Sequence, residues 1–174
     1  MSALDLLHIS LADQCLYGFA QGRLLLRFSV STALNGAGEA QDSGCTPRGP
    51  HRVEEKIGDG LPSGAVFKAR CWTGEVFSPQ LQAQWPQRDW ILTRILRLTG
   101  CQPGFNQGDG VDSFSRYIYL HGTPDSEPMG VPLSHGCVRL RNADLLELFD
   151  RVPLHCAVLI DEAPCPTWAA ADLR

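Results

Sequence analysis

The stretch 119–140, YLHGTPDSEPMGVPLSHGCVRL, decides how the rest of the chain is read. It opens on a strand-like apolar run that ends at His121-Gly122, and it closes on Ser134-His135-Gly136-Cys137 ahead of a second apolar run. Between them stand Pro124, Pro128, Gly130 and Pro132, which break regular elements, so a loop joins the two ends. Such a loop can bring Cys137 back to His121. A thiol beside an imidazole can ionise to a thiolate–imidazolium pair and become nucleophilic near neutral pH. Gly136 lets a substrate approach the backbone closely, so the amides around Cys137 can act as an oxyanion hole. Two blander readings compete. Alone, His121 is a strand-end histidine with a satisfied hydrogen bond and Cys137 is an inert buried thiol. His121, His135 and Cys137 are also all zinc-ligand types, although His135 and Cys137 are only two apart and no fourth ligand is obvious.

Upstream, the first thirty residues read as an antiparallel meander. LLHISLA alternates, Asp13-Gln14 breaks the run, CLYGF follows, and Ala20-Gln21-Gly22 turns the chain into RLLLRFSVS. Residues 35–50 are rich in Gly, Asn, Asp and Pro and read as a long loop, with Thr46-Pro47-Arg48-Gly49 suiting a type I turn. HRVEEKI and AVFKARCW are strand candidates. Two helices are expected. In WILTRILRL the residues Ile91, Ile95 and Leu98 share a helical face, Asp89 can cap it and Gly100 can end it. The second starts at Asn142 as N-cap, places Leu145, Leu148, Phe149 and Val152 on one face, and stops at Pro153. CAVLID then resumes a strand. Many short strands with about two helices make a predominantly β α+β domain, expected to occupy 1–174 as one unit.

The bulk properties narrow the function. A chain of 174 residues with formal net charge −4 offers no general attraction to nucleic acid or to anionic membranes, and neither partner is expected. The opening MSALDLLHISLADQ has no basic segment followed by a long apolar run, so a cytoplasmic location is expected. Seven cysteines form no C-x-x-C pair. Cys15, Cys71, Cys101 and Cys156 read as small buried hydrophobes, and Cys45 and Cys165 as loop residues. His8, His51 and His155 read as structural.

The motif YLHGT followed by GVPLSHGCVRL resembles the signature of the L,D-transpeptidase catalytic domain family, with supporting likeness in TPRG and in the amino-terminal strands, over residues 5–160. The spacer from His121 to Ser134 is slightly short for the usual pattern, and the segment 89–98 looks like an insertion. The resemblance implies a compact mixed-sheet catalytic domain in which Cys137 is the nucleophile and His121 its general base, oriented through the main chain of Gly122. It implies that His135 and Gly136 shape the pocket and oxyanion site, and that Ser134 and Arg139 lie near the substrate. Arg139 can bind a substrate carboxylate or merely pair with Asp144. No cofactor and no metal are implied. The implied substrate is a peptidoglycan tetrapeptide or muropeptide, and a carbapenem is the implied covalent inhibitor. With no export segment expected, hydrolysis by an L,D-carboxypeptidase in peptidoglycan recycling is favoured over cross-linking by an L,D-transpeptidase in the cell envelope. A zinc-binding protein or a non-catalytic muropeptide-binding module is the alternative of another class.

Overall fold

Gln14 and Gln21 carry the two turns that start the fold. Both take left-handed backbone, φ 49° and 51°, and Gly22 follows at 75°. Around them run β1 (Leu6–Ser10), β2 (Cys15–Ala20) and β3 (Arg23–Ser29), paired antiparallel in sequence order as the meander predicts. The computed structural model describes residues 1–165. Next come β4 (Gly49–Ile57), β5 (Ala65–Lys68), β6 (Cys71–Val76), α1 (Pro79–Gln84) and β7 (Ile91–Gly100). The order finishes with β8 (Tyr119–Gly122), β9 (Val138–Leu140), α2 (Asn142–Arg151) and β10 (Ala157–Asp161). The strands form one mixed sheet in the order β3-β2-β1-β10-β4-β7-β5-β6, with β8 added on β7 and β9 on β8. The expected β-dominated α+β class with a mixed sheet is what the chain adopts.

The main core lies on one face of the sheet, where Leu145, Leu148 and Phe149 of α2 pack on Leu7, Ile9, Leu96, Leu98, Leu120, Val138 and Leu140. The i, i+3, i+4 spacing of those α2 side chains is the apolar stripe that buries a surface helix. Arg141, not Asn142, occupies the N-cap, and it makes no side-chain cap. Asn142 is the first helical residue. Its Nδ2 donates to Thr123 O (3.0 Å) and Asp125 Oδ1 (3.2 Å), so the start of α2 is tied to the chain leaving β8. At the other end Lys56 Nζ donates to the carbonyls of Phe149 (2.7 Å) and Val152 (2.6 Å), which would otherwise be unpaired helix-end acceptors.

Three expectations are corrected. Residues 91–100 form the central strand β7 and not a helix. Packed on by α2 on one face and by Phe67 and Tyr119 on the other, β7 is buried along almost its whole length, so its apolar residues run on instead of alternating. A bulge between Leu92 and Ile95, with Thr93 at φ 74°, breaks the period further. Arg94 and Arg97 are buried with it; Arg97 lies 3.5 Å over the Phe114 ring and donates to Glu55 (3.1 Å). The one short helix in this region, α1, precedes β7 and is capped by Ser78. Thr46–Gly49 is no type I turn: Thr46 O accepts from Gly38 N–H, and Gly49 already belongs to β4. Cys15 and Cys156 are buried as expected, whereas Cys71 and Cys101 are exposed: Cys71 opens β6, an edge strand exposed along nearly its whole length, and Cys101 follows the end of β7.

Candidate active site

The parallel pairing of β8 with β9 builds the site. Its register sets Leu120 against Val138, His121 against Arg139 and Gly122 against Leu140. Side chains alternate across a strand, so Leu120, Val138 and Leu140 go to the core while Tyr119, His121 and Arg139 go to the opposite face. Cys137 stands one residue before β9, level with Tyr119. Diagonal neighbours on adjacent strands are about 7–8 Å apart at the backbone, within the combined reach of a thiol and an imidazole. His121, Ser134, His135, Cys137 and Arg139 all line one open cleft of about 480 Å³, joined there by Arg70, Asp89, Tyr117 and Tyr119.

Cys137 is half-buried at the cleft floor, packed against Phe67, Ile95 and Tyr119. Its Sγ accepts from Tyr119 N–H (3.3 Å), and its S–H donates to Tyr117 O (3.3 Å). Tyr117 holds that carbonyl in place from a left-handed φ of 57°. Protein atoms hem in the sulfur, and this burial pushes the thiol up to about 12; Tyr119 N–H, Arg139 and Arg116 pull the other way with less effect.

His121 is 2% exposed, and burial lowers its pKa below the ordinary 6.5 against the opposing hydrogen bond from Gly122 and the charge of Asp89. Its Nδ1 sits 2.7 Å from Gly122 O. A carbonyl only accepts, so Nδ1 carries the hydrogen and Nε2 is left bare to take a proton. Raised thiol and lowered imidazole act in the same direction. Burial of both groups disfavours the charged thiolate–imidazolium form.

Glycine is required at two of these positions. A Cβ on Gly122 would lie 2.6 Å from Leu92 O, and Gly136 has φ 134° with its would-be Cβ 3.2 Å from Cys45 O. The Gly136-Cys137 bend is held by hydroxyls. Thr46 Oγ1 donates to Gly136 O (2.9 Å) and accepts from Ala33 N–H (3.0 Å). Ser134 donates to Cys137 O and accepts from Gly136 N–H (3.2 Å). Ser134 is therefore at the cleft with its hydroxyl spent on the loop, and the Gly136 amide is engaged, which leaves the Cys137 N–H as the nearest oxyanion donor. His135 is exposed at the rim.

Arg139 pairs with Asp89 at 3.6 Å and not with Asp144. Asp89, read from the sequence as a helix cap, is instead the carboxylate of the cleft. Arg70 donates to Tyr119 Oη (3.2 Å) and lies over the Tyr117 ring at 4.8 Å. Asp89 and Thr46 enter the sequence reading only as a helix cap and a turn residue, and Arg70 and Tyr117 carry no local signal for the site. Tyr119 had a signal: it stands two residues before His121 on one strand, hence on the same face. Among the described residues, no three His, Cys, Asp or Glu side chains are grouped as metal ligands. His8 bonds Asp161 (2.8 Å) and His51 bonds Gly49 O and Ser113, both away from the cleft.

Residues 5–160 match the family model of the L,D-transpeptidase catalytic domain. The probable L,D-transpeptidase YbiS of Escherichia coli K12 is 48% identical over 57 residues, a match covering 33% of this chain and 19% of that protein. An L,D-transpeptidase structure from Mycobacterium smegmatis superposes with TM-score 0.56 at 15% identity, over 90% of this chain and 58% of that one. L,D-transpeptidase 3 from Mycobacterium tuberculosis, solved with a faropenem-derived adduct, gives TM-score 0.54 at 16% identity over 90% of this chain and 60% of that one. The chain thus spans less than two thirds of each of these relatives, and the structural likenesses speak for the fold.

Proposed function

This chain belongs to the L,D-transpeptidase catalytic domain family, and from that premise we propose that it is a cysteine acyl-transfer enzyme that removes the terminal D-Ala from peptidoglycan tetrapeptides. The observation that carries this reading is the shared cleft: a thiol and a bare imidazole nitrogen on adjacent strands, open to solvent.

In the first half-reaction the Cys137 S–H leaves Tyr117 O and passes its proton to His121 Nε2 as Sγ attacks the carbonyl carbon of the third stem residue. Transfer concerted with attack suits a pair whose charged form is disfavoured. The oxyanion forms near the Cys137 N–H. The carbon–nitrogen bond to D-Ala then breaks, the leaving amine takes the proton from His121, and a thioester remains. In the second half-reaction water gives a proton to His121 and its oxygen attacks the thioester carbonyl. The carbon–sulfur bond breaks, the thiol is restored with that proton, and a tripeptide carboxylate leaves. Arg139 and Arg70 supply guanidinium forks for substrate carboxylates.

Hydrolysis, an L,D-carboxypeptidase activity in the cytoplasm serving peptidoglycan recycling, is the outcome we favour. Asp89 is the one carboxylate among the residues lining the cleft and is already paired with Arg139, so the cleft offers no free anionic partner to hold an acceptor amine. Water needs none. The second reading, cross-linking with an amine as acceptor, is favoured by the likeness to YbiS, a probable L,D-transpeptidase. Incubation with tetrapeptide muropeptide and mass spectrometry separates them. Tripeptide and free D-Ala are expected; cross-linked dimer without tripeptide refutes hydrolysis, and no turnover refutes both.

A further inference from the structure

We propose that Arg116 is a positioning residue for Cys137: from behind the cleft floor, its guanidinium ties the loop under Gly136 to the turn that offers the Tyr117 carbonyl to the thiol. This rests on the acyl-transfer reading for the reaction that is served, and it adds a residue to which that reading gives no part.

Arg116 is half-buried and is not among the residues that line the cleft, so whatever it does for the reaction it does through others. One terminal nitrogen donates to the carbonyls of Gly38 (3.3 Å) and Glu39 (3.0 Å). The other donates to Ser43 Oγ (3.3 Å) and Cys45 O (2.7 Å). Ser43 Oγ also accepts from Cys45 N–H (3.2 Å), so both main-chain polar groups of Cys45 are held at once. Cys45 O stands 3.2 Å from where a Cβ on Gly136 would lie, and the next residue, Thr46, holds Gly136 O. The main chain of Arg116 is fixed by its own N–H, which donates to Asp112 O (2.9 Å). One residue further on, Tyr117 O accepts from the Cys137 thiol. A single side chain thus joins the two segments that seat the nucleophile.

A guanidinium suits this place for two reasons. Its planar fork serves several acceptors in fixed directions, which an ammonium on a flexible stem does not match. It also keeps a cation near the sulfur on the side away from the substrate. Asp89, Arg139, His121, Tyr117, Tyr119 and Arg70 surround Cys137 from the cleft and meet whatever binds there. Arg116 acts from the protein side. Burial raises the thiol pKa and Asp89 adds to the rise, while Tyr119 N–H, Arg139 and Arg116 oppose it. The carboxylates that act on Arg116 are Glu39 and Asp42, and Glu39 is bound to Arg48 (2.7 Å). The printed bonds of the Arg116 fork all go to carbonyls and a hydroxyl, so its charge reaches the sulfur without an ion pair of its own.

The test uses the full chain with Arg116→Gln, Arg116→Lys and Ser43→Ala, the last of which loosens Cys45 and leaves the cation in place. With tetrapeptide as substrate, kcat is expected to fall at least about tenfold in Arg116→Gln while KM stays within about twofold, because a displaced nucleophile weakens the transition state and Arg116 meets no substrate. Arg116→Lys and Ser43→Ala are expected to lose about threefold in kcat. Arg48→Gln is the control: it breaks the pair with Glu39 in the same loop without reaching Cys45, and its kcat is expected within about twofold of the parent. A control that slows as much as Arg116→Gln makes the effect one of loop stability and overturns the proposal, as does a raised KM with kcat unchanged. A second arm follows alkylation of Cys137 by iodoacetamide between about pH 7 and 9, read by peptide mass mapping, where the rate tracks the thiolate fraction. It is expected to be at least about threefold slower at each pH in Arg116→Gln and restored to within about twofold by Arg116→Lys. A merely structural role loosens the seat and leaves alkylation as fast or faster, which also overturns the proposal. If Arg116→Gln does not fold, the two milder variants decide, and parental kcat in both overturns it. If the parent turns over no tetrapeptide, the acyl-transfer reading falls and the alkylation arm alone decides on Arg116.

Discussion

Replacing Thr46 by valine tests whether a single buried hydroxyl holds the reactive loop. Val has nearly the same shape, but it removes the donor to Gly136 O and the acceptor for Ala33 N–H, both fully enclosed. An orphaned buried polar group costs about 1–3 kcal/mol, so the two together predict a loss of about 2–6 kcal/mol. A domain of this kind has about 5–15 kcal/mol in total, so the loss is a large share of it. At about 2–4 °C per kcal/mol the midpoint of thermal unfolding falls by roughly 4–24 °C. The control is Thr46→Ser, which keeps the hydroxyl, gives up one methyl, and is expected to cost less than about 1.5 kcal/mol. Urea unfolding gives both values, and the rate at which a carbapenem, the covalent inhibitor the resemblance implies, acylates Cys137 reports the loop. Acylation is expected to slow at least about tenfold in the valine variant, since an ångström-scale shift of a nucleophile costs that much or more. A valine variant as stable as the serine variant, with unchanged acylation, refutes the argument.

Replacing Cys137 by Ala is expected to abolish tetrapeptide turnover and the carbapenem mass shift together; persistence of either, read by intact-mass spectrometry, removes Cys137 as nucleophile. The reactive form needs neutral His121, whose pKa is held below 6.5, so kcat/KM is expected to fall only below that pH and to stay level into mildly alkaline solution. An acid limb centred above 6.5 contradicts this. His51 bears on stability instead. Burial lowers it from 6.5 to about 4, so below 6.5 the unfolded chain takes up the proton that the folded one refuses. Stability is therefore expected to drop by about 3 kcal/mol as pH falls from 6.5 to about 4, with a smaller drop in His51→Gln. Denaturant titrations at several pH values check it, and equal slopes in both proteins refute it.

How much of this was legible in the sequence depends on the range of the interaction. The meander, α2 and the His121–Cys137 neighbourhood follow from local turns, helical spacing and a motif whose two ends are joined by a proline-rich loop. β7 was misread because Ile91, Ile95 and Leu98 satisfy a helical spacing by accident. A strand covered on both faces carries no alternation to contradict it, and the bulge at Thr93 removes what little remained. Once that segment was taken as a helix, Asp89 became its cap, and the cleft lost its carboxylate. Thr46 and Arg70 join the site across long stretches of chain, through contacts that no window of sequence contains. Cys71 and Cys101 show the reverse limit: residue type alone did not say which side of a strand end would face water.

The pairing of β1 with β10 carries a cost in time. Leu6–Ser10 lies parallel to Ala157–Asp161, and β10 in turn separates β1 from β4. The sheet therefore cannot close until the last strand has left the ribosome. Until then the nascent chain presents two open edges, those of β1 and β4, to whatever strand is nearby. Such late, non-local closure slows folding and lengthens exposure to aggregation. Chains cut short before residue 157 are expected to depend on chaperones far more than chains that include β10, because the gap in the middle of their sheet has no strand to fill it.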